Sequence, residues 1–135
     1  MSRPAQSYED LVDEAIVWAA REPLLRALWI EGQSLGNLRR PYGTLDLHVA
    51  ADEPDFAALV ARTSAWLSTQ GAALLGESEV VRKARELEGR LKDQAFTVTV
   101  EQACFLAKRP RAHVVPLLDK TGHLTHVMDF SKHGG

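Results

Sequence analysis

The sequence predicts a mixed α/β (α+β) domain, and three observations carry that prediction. Residues 8–19 repeat apolar side chains at helical spacing. Residues 44–50 and 95–101 alternate strictly between apolar and polar, as half-buried strands do. A second helical stripe, 56–67, lies between those two strands. The chain has 135 residues, the size of one domain. Residues 1–130 read as that domain and 131–135 as a flexible tail.

The elements follow in order. Ser7 stands three residues before Asp10, and a hydroxyl there can accept an orphan backbone N–H at a helix start. Tyr8, Leu11, Val12, Ala15, Ile16 and Ala19 then share one helical face. Pro23 stops that helix, because the residue before proline is pushed out of the helical region. Residues 24–30 are short and mostly apolar on both faces, which suits a central strand. Leu45, Leu47 and Val49 alternate with Thr44, Asp46 and His48 in the next strand. Asp52, Pro54 and Asp55 open the second helix, Phe56, Leu59, Val60, Thr63 and Leu67 form its stripe, and Gly71 ends it.

Residues 72–75 read as a short strand. Val80, Val81, Ala84, Leu87 and Leu91 then predict a third helix, which Gly89 weakens near its end. Phe96, Val98 and Val100 share one face of the following strand, and Thr97, Thr99 and Glu101 share the other. Residues 102–108 form a helical turn in this reading. Residues 113–118 and 123–128 flank Asp119, Lys120, Thr121 and Gly122, a hairpin pattern. Pro116 places the first of those strands at a sheet edge or a bulge, since proline cannot donate to a ladder.

Composition narrows the function classes. Sixteen Lys+Arg against eighteen Asp+Glu leave a net charge of -2, with none of the basic excess of a nucleic-acid binder or an anionic-membrane binder. The single cysteine, Cys104, excludes an internal disulfide and any multi-cysteine zinc site; its apolar neighbours Phe105 and Leu106 predict a buried, inert thiol. The polar start of the chain is not a signal peptide, and no apolar run approaches a membrane span, so a cytoplasmic protein is expected. Trp18, Trp29 and Trp66 lie on separate elements and read as core packing.

One stretch carries chemistry. Trp29-Ile30-Glu31-Gly32-Gln33-Ser34-Leu35-Gly36 is followed by Gly43-Thr44-Leu45-Asp46-Leu47-His48-Val49. It resembles the core of the nucleotidyltransferase superfamily, closest in look to its minimal and aminoglycoside-type members. That core has a strand, a Gly-Ser turn, about a dozen residues of connection, and a strand bearing Asp-x-Asp. The resemblance implies a mixed, twisted sheet flanked by helices. It also implies transfer of a nucleotidyl group from a nucleoside triphosphate to a hydroxyl, with Mg²⁺ as cofactor. By position it makes Gly32, Gln33 and Ser34 the phosphate cradle and Asp46 a metal ligand. Glu101 is the acid on the neighbouring strand that would serve as second catalytic and metal-binding carboxylate. Arg39 and Arg40 are loop arginines placed to contact phosphates. His48 shares the face of Asp46 and could join the site, although a hydrogen-bonded structural histidine is the default.

The chemistry has its own rationale. Mg²⁺ prefers carboxylate oxygens and neutralises a triphosphate while activating the attacking hydroxyl. A glycine bend lets backbone N–H groups approach phosphate oxygens. The chain departs from the family pattern at Thr44, in place of the first aspartate, and at Gln33, in place of the motif serine. Those departures keep a second expectation open, a catalytically degenerate domain that binds a nucleotide or a protein partner. The length leaves no room for a second helical domain, so a homodimer or a separate helical partner is expected.

Overall fold

The computed structural model describes residues 7–31, 45–92, 94–108 and 114–121. Helix α1, Tyr8–Arg21, begins where the Ser7 side chain accepts a hydrogen bond from the Asp10 backbone N–H at 3.2 Å. Strands β1, Ala27–Glu31, and β2, Leu45–Ala51, follow. A 3-10 turn, Glu53–Asp55, carries Pro54 into helix α2, Phe56–Thr69. Strands β3, Ala73–Glu79, β4, Arg85–Leu91, and β5, Gln94–Gln102, come next. A second 3-10 turn, Val81–Lys83, joins β3 to β4. A third, Ala103–Lys108, precedes strand β6, Val114–Asp119.

The six strands form one mixed sheet in the order β3-β4-β5-β2-β1-β6. β2 and β5 run parallel; the other neighbours are antiparallel. This is the mixed sheet with flanking helices that the sequence predicts. Because side chains alternate across a strand, the register divides the central strands into two sets. Leu28, Ile30, Leu45, Leu47, Val49, Phe96, Val98 and Val100 are all buried and pack with α1 and α2 in the main core. Trp18 of α1 and Trp66 of α2 stack with ring centroids 4.7 Å apart, tying the helices together over that face. The Tyr8 hydroxyl donates to the Ala95 carbonyl and fastens the start of α1 to β5.

The opposite set includes Trp29, Asp46, His48, Ala50, Thr97, Thr99 and Glu101. Part of that face is closed by a smaller apolar cluster of Ala27, Trp29, Ala50, Leu106 and Val114, in which the 3-10 turn after β5 supplies Leu106. The rest is polar.

Several expectations change. The third helix predicted over 80–91 is a turn and a strand. Leu87, Gly89 and Leu91 alternate with Glu86, Glu88 and Arg90, and Leu87 pairs in register with Val98. Pairing along β5 outweighs a helical spacing that Gly89 already weakens. Gly89 lies against the Phe96 ring, and a Cβ there would come within 2.3 Å of Phe96 Cζ. The short strand expected at 72–75 extends to Glu79, and the first strand is Ala27–Glu31 rather than 24–30. Cys104 is exposed, not buried; the turn points Leu106 inward instead. Pro116 sits in edge strand β6, beside an irregularity in its pairing with β1. The second half of the predicted hairpin, 123–128, and the 131–135 tail lie outside the described residues. Asp119 Oδ1 accepts from the Thr121 backbone N–H at 3.0 Å, as turn chemistry at this position requires.

Candidate functional site

The polar face converges on His48. Its strand places it directly opposite Trp29 on β1 and Thr99 on β5. The Trp29 indole stacks on the imidazole with centroids 5.3 Å apart and planes 22° apart. His48 Nδ1 is hydrogen-bonded to Glu101 Oε2 at 2.6 Å and lies 3.3 Å from Glu31 Oε2. Its Nε2 lies 3.0 Å from Asp46 Oδ1. The ring is thus held between acids from three strands, Glu31 at the end of β1, Asp46 on β2 and Glu101 on β5.

The surrounding bonds fix those acids in turn. The Trp29 Nε1–H donates to Glu31 Oε2 at 2.7 Å. The Thr97 hydroxyl donates to Asp46 Oδ1 at 2.9 Å, from the residue that faces Asp46 in the parallel register. His48 and Glu101 are buried, with side chains only 9% and 6% exposed. Asp46, at 40%, is the acid most open to solvent among these three carboxylates and the imidazole.

Electrostatics follows from this packing. Burial alone would lower the pKa of His48, because it disfavours the charged ring. The hydrogen bonds and charges of Asp46 and Glu101 outweigh burial and raise it above the usual histidine value. Burial would raise the pKa of Asp46, but bonding and attraction to His48, with the Thr97 hydroxyl, hold it below the usual carboxylate value. The raised pKa favours the protonated ring, whose two N–H groups can donate to the carboxylate oxygens beside them.

These groups form one wall of an open pocket of about 210 Å³. Glu31, Asp46, His48, Thr99 and Glu101 face it from one side, and Val80, Val81, Ala84 and Glu86 from the β3–β4 connection and β4. Val81 stands 74% exposed at the rim, on a turn whose Arg82 and Lys83 take left-handed backbone angles.

The two acids named from the sequence, Asp46 and Glu101, therefore do line a common pocket, with His48 between them. The predicted cradle of Gly32, Gln33 and Ser34, the arginines Arg39 and Arg40, and Thr44 all lie outside the described residues. Sequence reasoning missed Glu31. Its signal was the Trp29-x-Glu31 spacing, which puts both side chains on one face of β1, but only the β1–β2 register shows that this face meets His48. No helix among the described residues is long and apolar enough to cross a membrane. Neither a protein-family model nor a curated protein matches the chain.

Proposed function

We propose that the chain is a nucleotidyltransferase-type domain that binds a nucleoside triphosphate, together with its divalent cation, at the pocket beside Asp46. The observation that carries this reading is the meeting of Asp46 and Glu101, from two parallel strands, on the wall of one open cavity. A volume of about 210 Å³ suits a cation and the phosphates nearest it, with the nucleoside outside.

The donor chemistry at Asp46 is compatible with Mg²⁺. Such an ion keeps several waters and is commonly held by one or two carboxylates plus substrate phosphates. Asp46 would hold it, and the ion would neutralise triphosphate charge and make an attacking hydroxyl more acidic. Asp46 is prepared for that task because His48 and Thr97 keep its carboxylate ionised. Gly32, Gln33 and Ser34 would cradle the phosphates, as the sequence resemblance implies, and the loop arginines Arg39 and Arg40 would add guanidinium contacts. A second copy of the chain or a helical partner would complete the acceptor side.

One observation favours a second reading, in which the domain binds the nucleotide without transferring it. The residue paired with Asp46 across β2 and β5 is Thr97, not an acid. With Thr44 also in place of the first motif aspartate, fewer carboxylates remain to hold two ions.

Thermal shift with ATP and GTP, each with and without Mg²⁺ or Mn²⁺, tests both readings. Stabilisation that requires both nucleotide and cation supports binding; ligand at a hundredfold over its Kd adds about 2.7 kcal/mol. Pyrophosphate release alongside it establishes transfer, and its absence with candidate hydroxyl acceptors present favours the binding module. A flat response to every combination overturns both.

A further inference from the structure

We infer that Glu31, His48 and Glu101 form a Zn²⁺ site, held through His48 Nδ1 and one oxygen of each glutamate, separate from any cation that a nucleotide brings to Asp46. The candidate ligand atoms of the three residues lie within 4.8 Å of one another. Two separations from Nδ1 are 2.6 Å to Glu101 and 3.3 Å to Glu31. Zinc bonds of about 2.0–2.2 Å in a tetrahedron set neighbouring donors roughly 3.3–3.5 Å apart, so small side-chain movements suffice.

The shell around these donors is the one a metal-bound histidine uses. Such a histidine presents one nitrogen to the ion while a carboxylate holds the other, which fixes the tautomer and the ring plane. Here Asp46 lies on the Nε2 side, Thr97 bonds Asp46, and Trp29 both stacks on the ring and donates to Glu31. The ion takes the place of the proton between Nδ1 and Glu101. Three protein ligands leave the fourth tetrahedral position for a water on the pocket side, the open arrangement of a reactive rather than a purely structural zinc.

The donor set favours Zn²⁺ over Mg²⁺. Imidazole nitrogen suits Zn²⁺, whereas Mg²⁺ prefers oxygen alone. A buried histidine at the centre of the cluster therefore disfavours Mg²⁺ at this position.

This inference goes beyond nucleotide binding and does not depend on it, because its test contains no nucleotide. The metal-free full chain is titrated with Zn²⁺ against a chromophoric chelator. The expected result is one tight equivalent, unmoved by a large excess of Mg²⁺. Glu101→Gln and Glu31→Gln, which preserve shape, should each weaken binding at least tenfold. Asp46→Asn should weaken it about 10–100-fold through the histidine. A His123→Asn/His126→Asn variant should bind as the parent does. Nitrogen NMR of the parent protein gives a readout independent of variant folding: Zn²⁺ should shift His48 Nδ1 far more than Nε2. Unchanged affinity in both glutamine variants, equal competition by Mg²⁺, or an unmoved His48 resonance would overturn the site.

Discussion

Strands β2 and β5 present two faces built from alternate residues of the same segments. On one, Leu45, Leu47, Val49, Phe96, Val98 and Val100 disappear beneath the helices. On the other, Asp46, His48, Thr97, Thr99 and Glu101 bring polar and charged groups together, some of them almost as deeply buried. The first face is held by removal of apolar surface from water, which is non-directional. The second holds only because each charged group has a partner; an unpaired charge at such depth is costly. A sheet can therefore carry its stability on one side and reserve directional chemistry for the other without lengthening the chain.

Substitutions that break each face separate these principles. The largest loss is expected from Phe96→Ala, at about 3–5 kcal/mol in denaturant unfolding, because a ring packed against Gly89 leaves a void. His48→Leu inserts an apolar group, which would help on the helical face, yet should cost about 3 kcal/mol at pH 6. It leaves Glu31, Asp46 and Glu101 without their shared cation. A loss below that of an ordinary surface substitution would show that the polar face is not held by its pairs.

The pH dependence has a defined sign. His48 has a raised folded pKa, so its stabilisation is fully present below the unfolded value of about 6.5 and is lost as pH rises through the folded value. Asp46 has a lowered folded pKa, so its contribution is present above the unfolded carboxylate range and is lost as pH falls through the folded value. Metal-free protein should lose Tm on going from neutral to alkaline pH, and His48→Gln should flatten that slope. The smallest effect belongs to Arg62, which reaches Glu22 at 2.5 Å but is half exposed. Arg62→Ala should cost about 0.5 kcal/mol and lose even that in high salt, a contrast with the sheltered His48 cluster.

Much of this division was legible in the sequence, because a period of two states which residues share a face. Ser7 marked the start of α1, and Pro116 marked an edge strand with irregular pairing. The 80–91 segment misled because Val80, Ala84, Leu87 and Leu91 also fit a helical period. Only the pairing of Leu87 with Val98 decides between the two. Asp46 and Glu101 were legible as acids on the polar face, and His48 as their neighbour. The central place of His48 was not, nor was the role of Glu31. Both depend on how β1 lies against β2 and β2 against β5, a long-range register that no local pattern contains.

Side-chain nitrogen NMR of His48 through a pH titration of the metal-free protein tests the organisation of this face most directly. The ring should stay doubly protonated above the pH at which free histidine loses its proton, with Asp46→Asn and Glu101→Gln each lowering its pKa. A parent His48 that titrates at or below the ordinary histidine value, indifferent to both substitutions, would contradict it.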